Sequence, residues 1–223
     1  MRASLATAVA CAAAAGARAS AQVCAGTASF SAGRFSVTGA ASFGDGGRSF
    51  GGNLAAGAHS SFFAGAGISR TEYNDVHESA TDIGVSLGYQ IPLGSTGRAQ
   101  ICPVVAYSHE VGPNRIDGSD VNASGNAYGV GAAVGMVVGH ARSVDFIPSL
   151  ALGYTSARVK YKGDYFGTPL DESVPTNYGS ISLTAGLVLK RNVSVTPSVW
   201  MPFGVSDATP SYGISLGFNF GSR

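Results

Sequence analysis

Charged side chains are scarce in this chain of 223 residues: they make up 12% of it, about half of the share that is usual in globular proteins. The 14 basic and 13 acidic residues nearly balance, which excludes the basic footprint of a nucleic-acid-binding protein. Long apolar runs are also missing after the N-terminus, so no transmembrane helix is predicted there. By contrast, 32 glycines and a hydrophobic share of 45% indicate an ordered all-β chain with two differently solvated faces.

The N-terminus has the pattern of a secretory signal peptide. Arg2 precedes an alanine-rich apolar run over 3–17, and the small residues Ala19-Ser20-Ala21 are typical of a cleavage site. An alanine-rich helix or membrane anchor is the alternative, but the run is short and weakly hydrophobic. We therefore expect residues 1–21 to be removed on export, residues 22–33 to form an N-terminal periplasmic segment, and residues 34–223 to form the folded domain.

Alternation of apolar and small or polar residues is the dominant pattern, and a period of two predicts β-strands. The clearest case is the last one, from Tyr212 to Phe220. The full pattern predicts ten strands over 34–44, 48–57, 60–72, 80–92, 98–110, 124–138, 143–161, 177–190, 192–203 and 210–221. Glycine and alanine blur the phase of the first two strands, so eight strands is the alternative. We predict a closed, antiparallel, up-and-down transmembrane β-barrel, for which an even number of strands is expected.

Connections and charges sort to two ends of such a barrel. Tight turns are predicted near 58–59, 93–97, 139–142 and 190–192, and longer loops near 73–79, 111–123, 162–176 and 204–209. All acidic residues except Asp145 fall at the long-loop end, while strand centres carry almost no charge. This is the arrangement of an outer-membrane barrel whose two termini are periplasmic.

The large apolar residues of the strands are predicted to face outward. Lipid-facing positions are expected at Ile83, Val85, Leu87, Val130, Val134, Leu150, Leu152, Val199, Ile214, Leu216 and Phe218. Aromatic girdles at the two lipid–water boundaries are expected at Tyr89, Tyr107, Tyr128, Phe146, Tyr154, Phe203, Tyr212 and Phe220. Pro103, Pro148 and Pro197 interrupt predicted central strands, and we expect a bulge in the sheet to accommodate them.

Three segments carry a family resemblance: Ser86-Leu87-Gly88-Tyr89, the stretch from Ile147 to Tyr154, and the final stretch from Tyr212 to Phe220. In these the chain resembles the broad group of small bacterial outer-membrane β-barrel proteins that includes OmpA and OmpX. The resemblance covers most of 34–223. It implies a Gram-negative-type envelope, contact with outer-membrane lipid and lipopolysaccharide, and recognition of the C-terminal strand by the barrel assembly machinery.

No residue pattern predicts catalysis, a cofactor or a metal site. The sharpest enzyme hypothesis joins His77 and His109 with Asp75, Asp82 and Glu110 at the outer rim, but a solvated polar rim explains them as well. Residues 117–120 hold Asp117 and Asp120 but not the full ligand set of a calcium loop. The predicted function is a structural or small-conductance outer-membrane barrel without a visible selectivity filter. The alternatives are an exported soluble barrel that binds an apolar ligand, and an outer-membrane enzyme.

Cys24 and Cys102 are the cysteines that remain after export, in an oxidising compartment. Cys102 alternates with Ile101 and Pro103, so it should face the lumen. Cys24 lies ten residues before Arg34, and ten extended residues span at most about 33–36 Å. We predict a disulfide that ties the N-terminal segment to the short-turn mouth of the barrel. Two unpaired thiols, or a bond from Cys24 to another protein, are the alternatives.

Overall fold

The computed structural model describes Cys24 and residues 35–57, 61–74, 78–94, 98–116, 118–141, 144–190, 192–206 and 208–220. The predicted signal peptide and all of the segment 22–33 except Cys24 lie outside these residues. No helix within the described ranges is long and apolar enough to cross a membrane. The strands are β1 (Phe35–Gly44), β2 (Gly47–Gly57), β3 (Phe62–Tyr73), β4 (Ser79–Tyr89), β5 (Ile91–Leu93), β6 (Ala99–Val111), β7 (Val121–Met136), β8 (Gly139–Ala141), β9 (Val144–Tyr165), β10 (Thr168–Leu189), β11 (Val193–Phe203) and β12 (Ser211–Phe220).

These strands form one closed barrel with ten positions around its circumference. β5 continues β4 along β6, and β8 continues β7 along β9. Each position is antiparallel to its neighbours in sequence, and the pairing of β1 with β12 closes the sheet. The predicted up-and-down barrel is therefore confirmed. The count is ten rather than eight because β1 and β2 pair with each other along their whole length, in spite of their blurred pattern.

The alternation in the sequence becomes a difference between the two faces of the sheet. Most large apolar side chains of the strands lie on the outer surface, where they are about half exposed, while a few such as Phe63, Ile147 and Val188 are buried inside. Small and hydroxyl-bearing residues point inward. Ile214, Leu216 and Phe218 are 48%, 53% and 50% exposed. A soluble barrel needs the reverse orientation, with its large apolar residues inside.

The three prolines are accommodated in two ways. Opposite Pro148, three residues of the β7–β8 strand lie across from two residues of β9, which is the predicted bulge. Opposite Pro103 and Pro197 the register does not change, and the ladder of β-pairs is only interrupted, at Tyr89–Gln90 and at Ala185–Gly186. A proline lacks the N–H that such a pair requires. The prediction of a shared bulge is therefore right for one proline and wrong for two.

The predicted loop over 162–176 is wrong, because β9 and β10 continue through it and pair without interruption up to Tyr165 and Thr168. Only Phe166 and Gly167 form the turn. Charged residues and Pro169 and Pro175 gave this stretch the composition of a loop. Beyond the barrel rim both faces of a hairpin can meet water, so charge does not disfavour strand pairing there.

Candidate functional site: the bore of the barrel

A disulfide lies inside the bore at its short-turn end. Cys24 and Cys102 are bonded, with their Cα atoms 6.2 Å apart, as the sequence predicts. Cys102 is fully buried on the inner face of β6, and Cys24 packs against Ala55, Phe63 and Ala133. The ring of Phe63 lies beside Gly88 on the next strand, in the space that a Cβ at position 88 would occupy. Because glycine has no Cβ, it leaves room for this ring inside the bore.

The middle of the bore is a cavity of about 290 Å³. The types of residue that line this cavity differ from one side of the barrel to the other. On β6 and β7 the wall is made of small apolar residues such as Ala106, Gly131 and Ala133. The opposite wall is rich in hydroxyl groups, and Ser149 and Thr184 hydrogen-bond to each other within it. The hydroxyl-bearing residues are Thr38, Ser42, Ser49, Ser69, Ser149, Thr155, Ser180, Ser182, Thr184, Thr196, Ser198 and Ser215.

Two acidic side chains enter the bore toward its long-loop end. Asp82 on β4 and Glu110 on β6 stand directly opposite each other in the ladder, and each is only 2% exposed. The Ser108 hydroxyl lies beside Asp82. Every described Lys and Arg side chain is exposed, so none of them neutralises the pair from within the bore. Ile116 of the β6–β7 loop is buried in one apolar cluster with Val121, Ala123, Val159 and Tyr161.

Glu110 lies near the long-loop end of β6, one residue before that strand ends at Val111. Both of its oxygens are buried without a hydrogen-bond partner among the described residues. The same holds for Asp82, so the two facing carboxyl groups are not stabilised by hydrogen bonds inside the bore.

The residues predicted to face lipid, and those predicted to form the girdles, all lie on the outer surface of the barrel. Each is at least 37% exposed. Three girdle positions take part in ring pairs: Tyr107 with Tyr128 on adjacent strands, at 5.2 Å between ring centroids, and Tyr89 with Phe62, at 4.7 Å. Phe62 is an aromatic position that the sequence did not predict.

The residues that the enzyme hypothesis joins do not all lie on the same side of the barrel wall. His109 is in the outward phase of β6 and hydrogen-bonds to Asn126, whereas Asp82 and Glu110 point inward. Asp75 and His77 lie outside the described residues. Among the residues that are described, no group of three or more His, Cys, Asp or Glu side chains could hold a metal ion. Asp120, from the candidate calcium loop, is exposed and pairs with Arg115 at 3.4 Å, and Asp117 is not described.

The sequence reading missed that Asp82 and Glu110 are bore residues. A signal for this was available, because Asp82 shares its phase with Gly84 and Ser86, and Glu110 shares its phase with Cys102. Grouping these acids with the polar rim hid that phase. The bore thus carries a pair of facing carboxyl groups that the predicted lumen of small residues did not contain.

Comparison with known proteins supports the fold. The chain is similar to the translocator domain of the autotransporter NalP from Neisseria meningitidis, with 14% identity, a TM-score of 0.52, and coverage of 86% of this chain and 90% of that domain. The β domain of the Bordetella autotransporter BrkA is 11% identical, with a TM-score of 0.48 and coverage of 86% and 100%. The KdgM porin is 12% identical, with a TM-score of 0.42 and coverage of 83% and 99%.

No protein-family model matches the chain. No curated protein matches its sequence. The closed topology of the strands and the similarity to the NalP translocator domain both support the same fold. The chain has the closed antiparallel β-barrel fold of bacterial outer-membrane proteins.

Proposed function

We propose that this protein is an integral outer-membrane β-barrel with a structural or small-conductance pore role. The observation that carries the proposal is the orientation of the side chains: most large apolar residues of the strands are exposed on the outer surface, and the central cavity is lined mainly by small and hydroxyl-bearing residues. Burying this outer face in lipid removes it from water, whereas a soluble protein would expose it to water as one apolar band. The predicted lipid-facing and girdle residues form this band in the proposal.

A small conductance follows from the contents of the bore. Phe63, Cys102, Ile147 and Val188 are buried at the short-turn end. At the other end Ile116 and Tyr161 are buried in one apolar cluster. The cavity between these two groups has a volume of about 290 Å³, which suits water or small solutes rather than large ones. In the proposal both termini are periplasmic, and residues 1–21 direct export.

The test of membrane insertion is heat-modifiable migration. A closed barrel has no edge strand from which to unravel, so it should stay folded in detergent until boiled. We expect protein extracted from the outer-membrane fraction to run at different positions before and after boiling. Identical mobility of the two samples, or recovery of the protein in the soluble periplasmic fraction, would contradict the proposal.

A further inference from the structure

A row of polar side chains lies directly beyond the outer aromatic pair. Tyr107 on β6 and Tyr128 on β7 pair in register. Two residues further along the same strands, His109 pairs with Asn126, and Asn126 pairs with Arg158 of β9. Two residues along a strand correspond to about 6.6 Å, or about 5 Å along the membrane normal for a strand tilted by about 40°. The row therefore begins at the level of lipid headgroups if the tyrosines mark the lipid boundary.

Hydrogen bonds within this row leave donors facing outward. The Tyr107 hydroxyl donates to Asn126 Oδ1 at 2.7 Å. Asn126 Oδ1 also lies 3.0 Å from His109 Nδ1, which must donate there because an amide oxygen can only accept. With its oxygen occupied, Asn126 has its Nδ2–H groups free to donate. The Arg158 guanidinium is exposed and forms no ion pair with a described residue.

Positive charge continues outward from Arg158 along the same face of β9. Lys160 and Lys162 follow at alternate positions, and both are exposed. Lys160 Nζ lies 3.6 Å from Asp171 Oδ1 on β10. Both side chains are exposed, so water screens this ion pair. The neighbouring outward positions on β7 are Ser124 and Asn122, which are uncharged. The surface from His109 to Lys162 thus combines cations and neutral donors, with two acidic residues nearby: Asp171, and Asp164 two residues beyond Lys162 on the same face of β9.

We infer that Asn126, Arg158 and Lys160 form a binding site for the phosphate groups of outer-leaflet lipid, with the lipid A part of lipopolysaccharide as its occupant. The inference rests on the proposed function, because it requires the barrel to stand in the outer membrane. A guanidinium presents paired N–H donors that match two oxygens of a phosphate, and the adjacent amide and ammonium groups supply further donors. The acyl chains of lipid A would lie against the apolar outer surface below Tyr107 and Tyr128.

The experiment measures lipid A binding to the refolded full-length protein by native mass spectrometry in detergent. The probes are lipid A with two phosphates and the same lipid A without phosphate. We expect the variant Arg158→Ala/Lys160→Ala to bind the phosphorylated form about tenfold more weakly than the unmodified protein does. The matched control Arg115→Ala/Lys190→Ala also removes two exposed positive charges, but away from the site, and should bind as the unmodified protein does.

Several outcomes would overturn the site. These are unchanged binding by Arg158→Ala/Lys160→Ala, an equal loss in the control variant, or equal binding of lipid A with and without phosphate. Full displacement of lipid A by inorganic phosphate would identify a free-anion site instead of a lipid site. Heat-modifiable migration is measured on every variant, so that a folding defect is recognised. If the unmodified protein does not show heat-modifiable migration, the proposed function is contradicted. If the protein is folded but does not bind lipid A, only the proposed site is contradicted.

Discussion

Ser215 and Leu216 are neighbours in sequence but face opposite sides of the barrel wall. Leu216 is half exposed on the outer surface, and Ser215 lines the central cavity. We expect Leu216→Arg to lower the free energy of unfolding by roughly 2–4 kcal/mol, because it places a charge in hydrocarbon. Ser215→Arg should cost less, because its head group can reach water in the bore. Reversible unfolding in lipid vesicles measures both, and equal costs or the reverse order would contradict the assignment of faces.

Glu110 and Asp82 stand opposite each other in the ladder, and each is 2% exposed. Neither carboxyl group has a hydrogen bond to a described residue, so burying the pair costs free energy. We expect Glu110→Gln, which stays neutral, to lower this cost and to raise the unfolding temperature of the barrel at neutral pH.

The control for Glu110→Gln is Asp120→Asn, which removes an acidic group whose side chain is 83% exposed. This control should keep the unfolding temperature of the unmodified protein. An unchanged or lower unfolding temperature for Glu110→Gln would mean that the buried carboxyl group does not destabilise the barrel.

At the scale of elements, the hairpin of β9 and β10 depends on an unusual turn. Phe166 and Gly167 have φ angles of +50° and +81°, so both central residues are left-handed, as in a type I′ turn. Asparagine and glycine favour this geometry, while a phenylalanine is strained in it. We expect Phe166→Asn to slow amide hydrogen exchange across the hairpin, and Gly167→Ala to accelerate it. The same direction of change for both variants would contradict this description of the turn.

The strands could be predicted wherever one face is the apolar outer surface and the other lines the bore, because this forces alternation with a period of two. The hairpin beyond the rim could not, since its charged residues and prolines have the composition of a loop and Phe166 gives no turn signal. Alternation also placed Cys102 on the inner face. The bond to Cys24 then followed from the cysteine count and the compartment. What alternation could not supply is which inward residues meet across the bore, and Asp82 and Glu110 were therefore not recognised as a pair.

At the scale of the whole molecule, the bond between Cys24 and Cys102 links a residue from before the barrel to the inside of its bore. Cys24 is buried among Ala55, Phe63 and Ala133, where it occupies part of the cross-section at the short-turn end. Because the narrowest cross-section controls the flow of ions, the tether should lower the conductance of the barrel. We expect Cys24→Ser to give a higher single-channel conductance in planar bilayers than the unmodified protein gives. Reduction of the unmodified protein should raise its conductance toward that of the variant, and the same reductant should leave Cys24→Ser unchanged. Equal conductances for all these samples would show that Cys24 does not obstruct the bore.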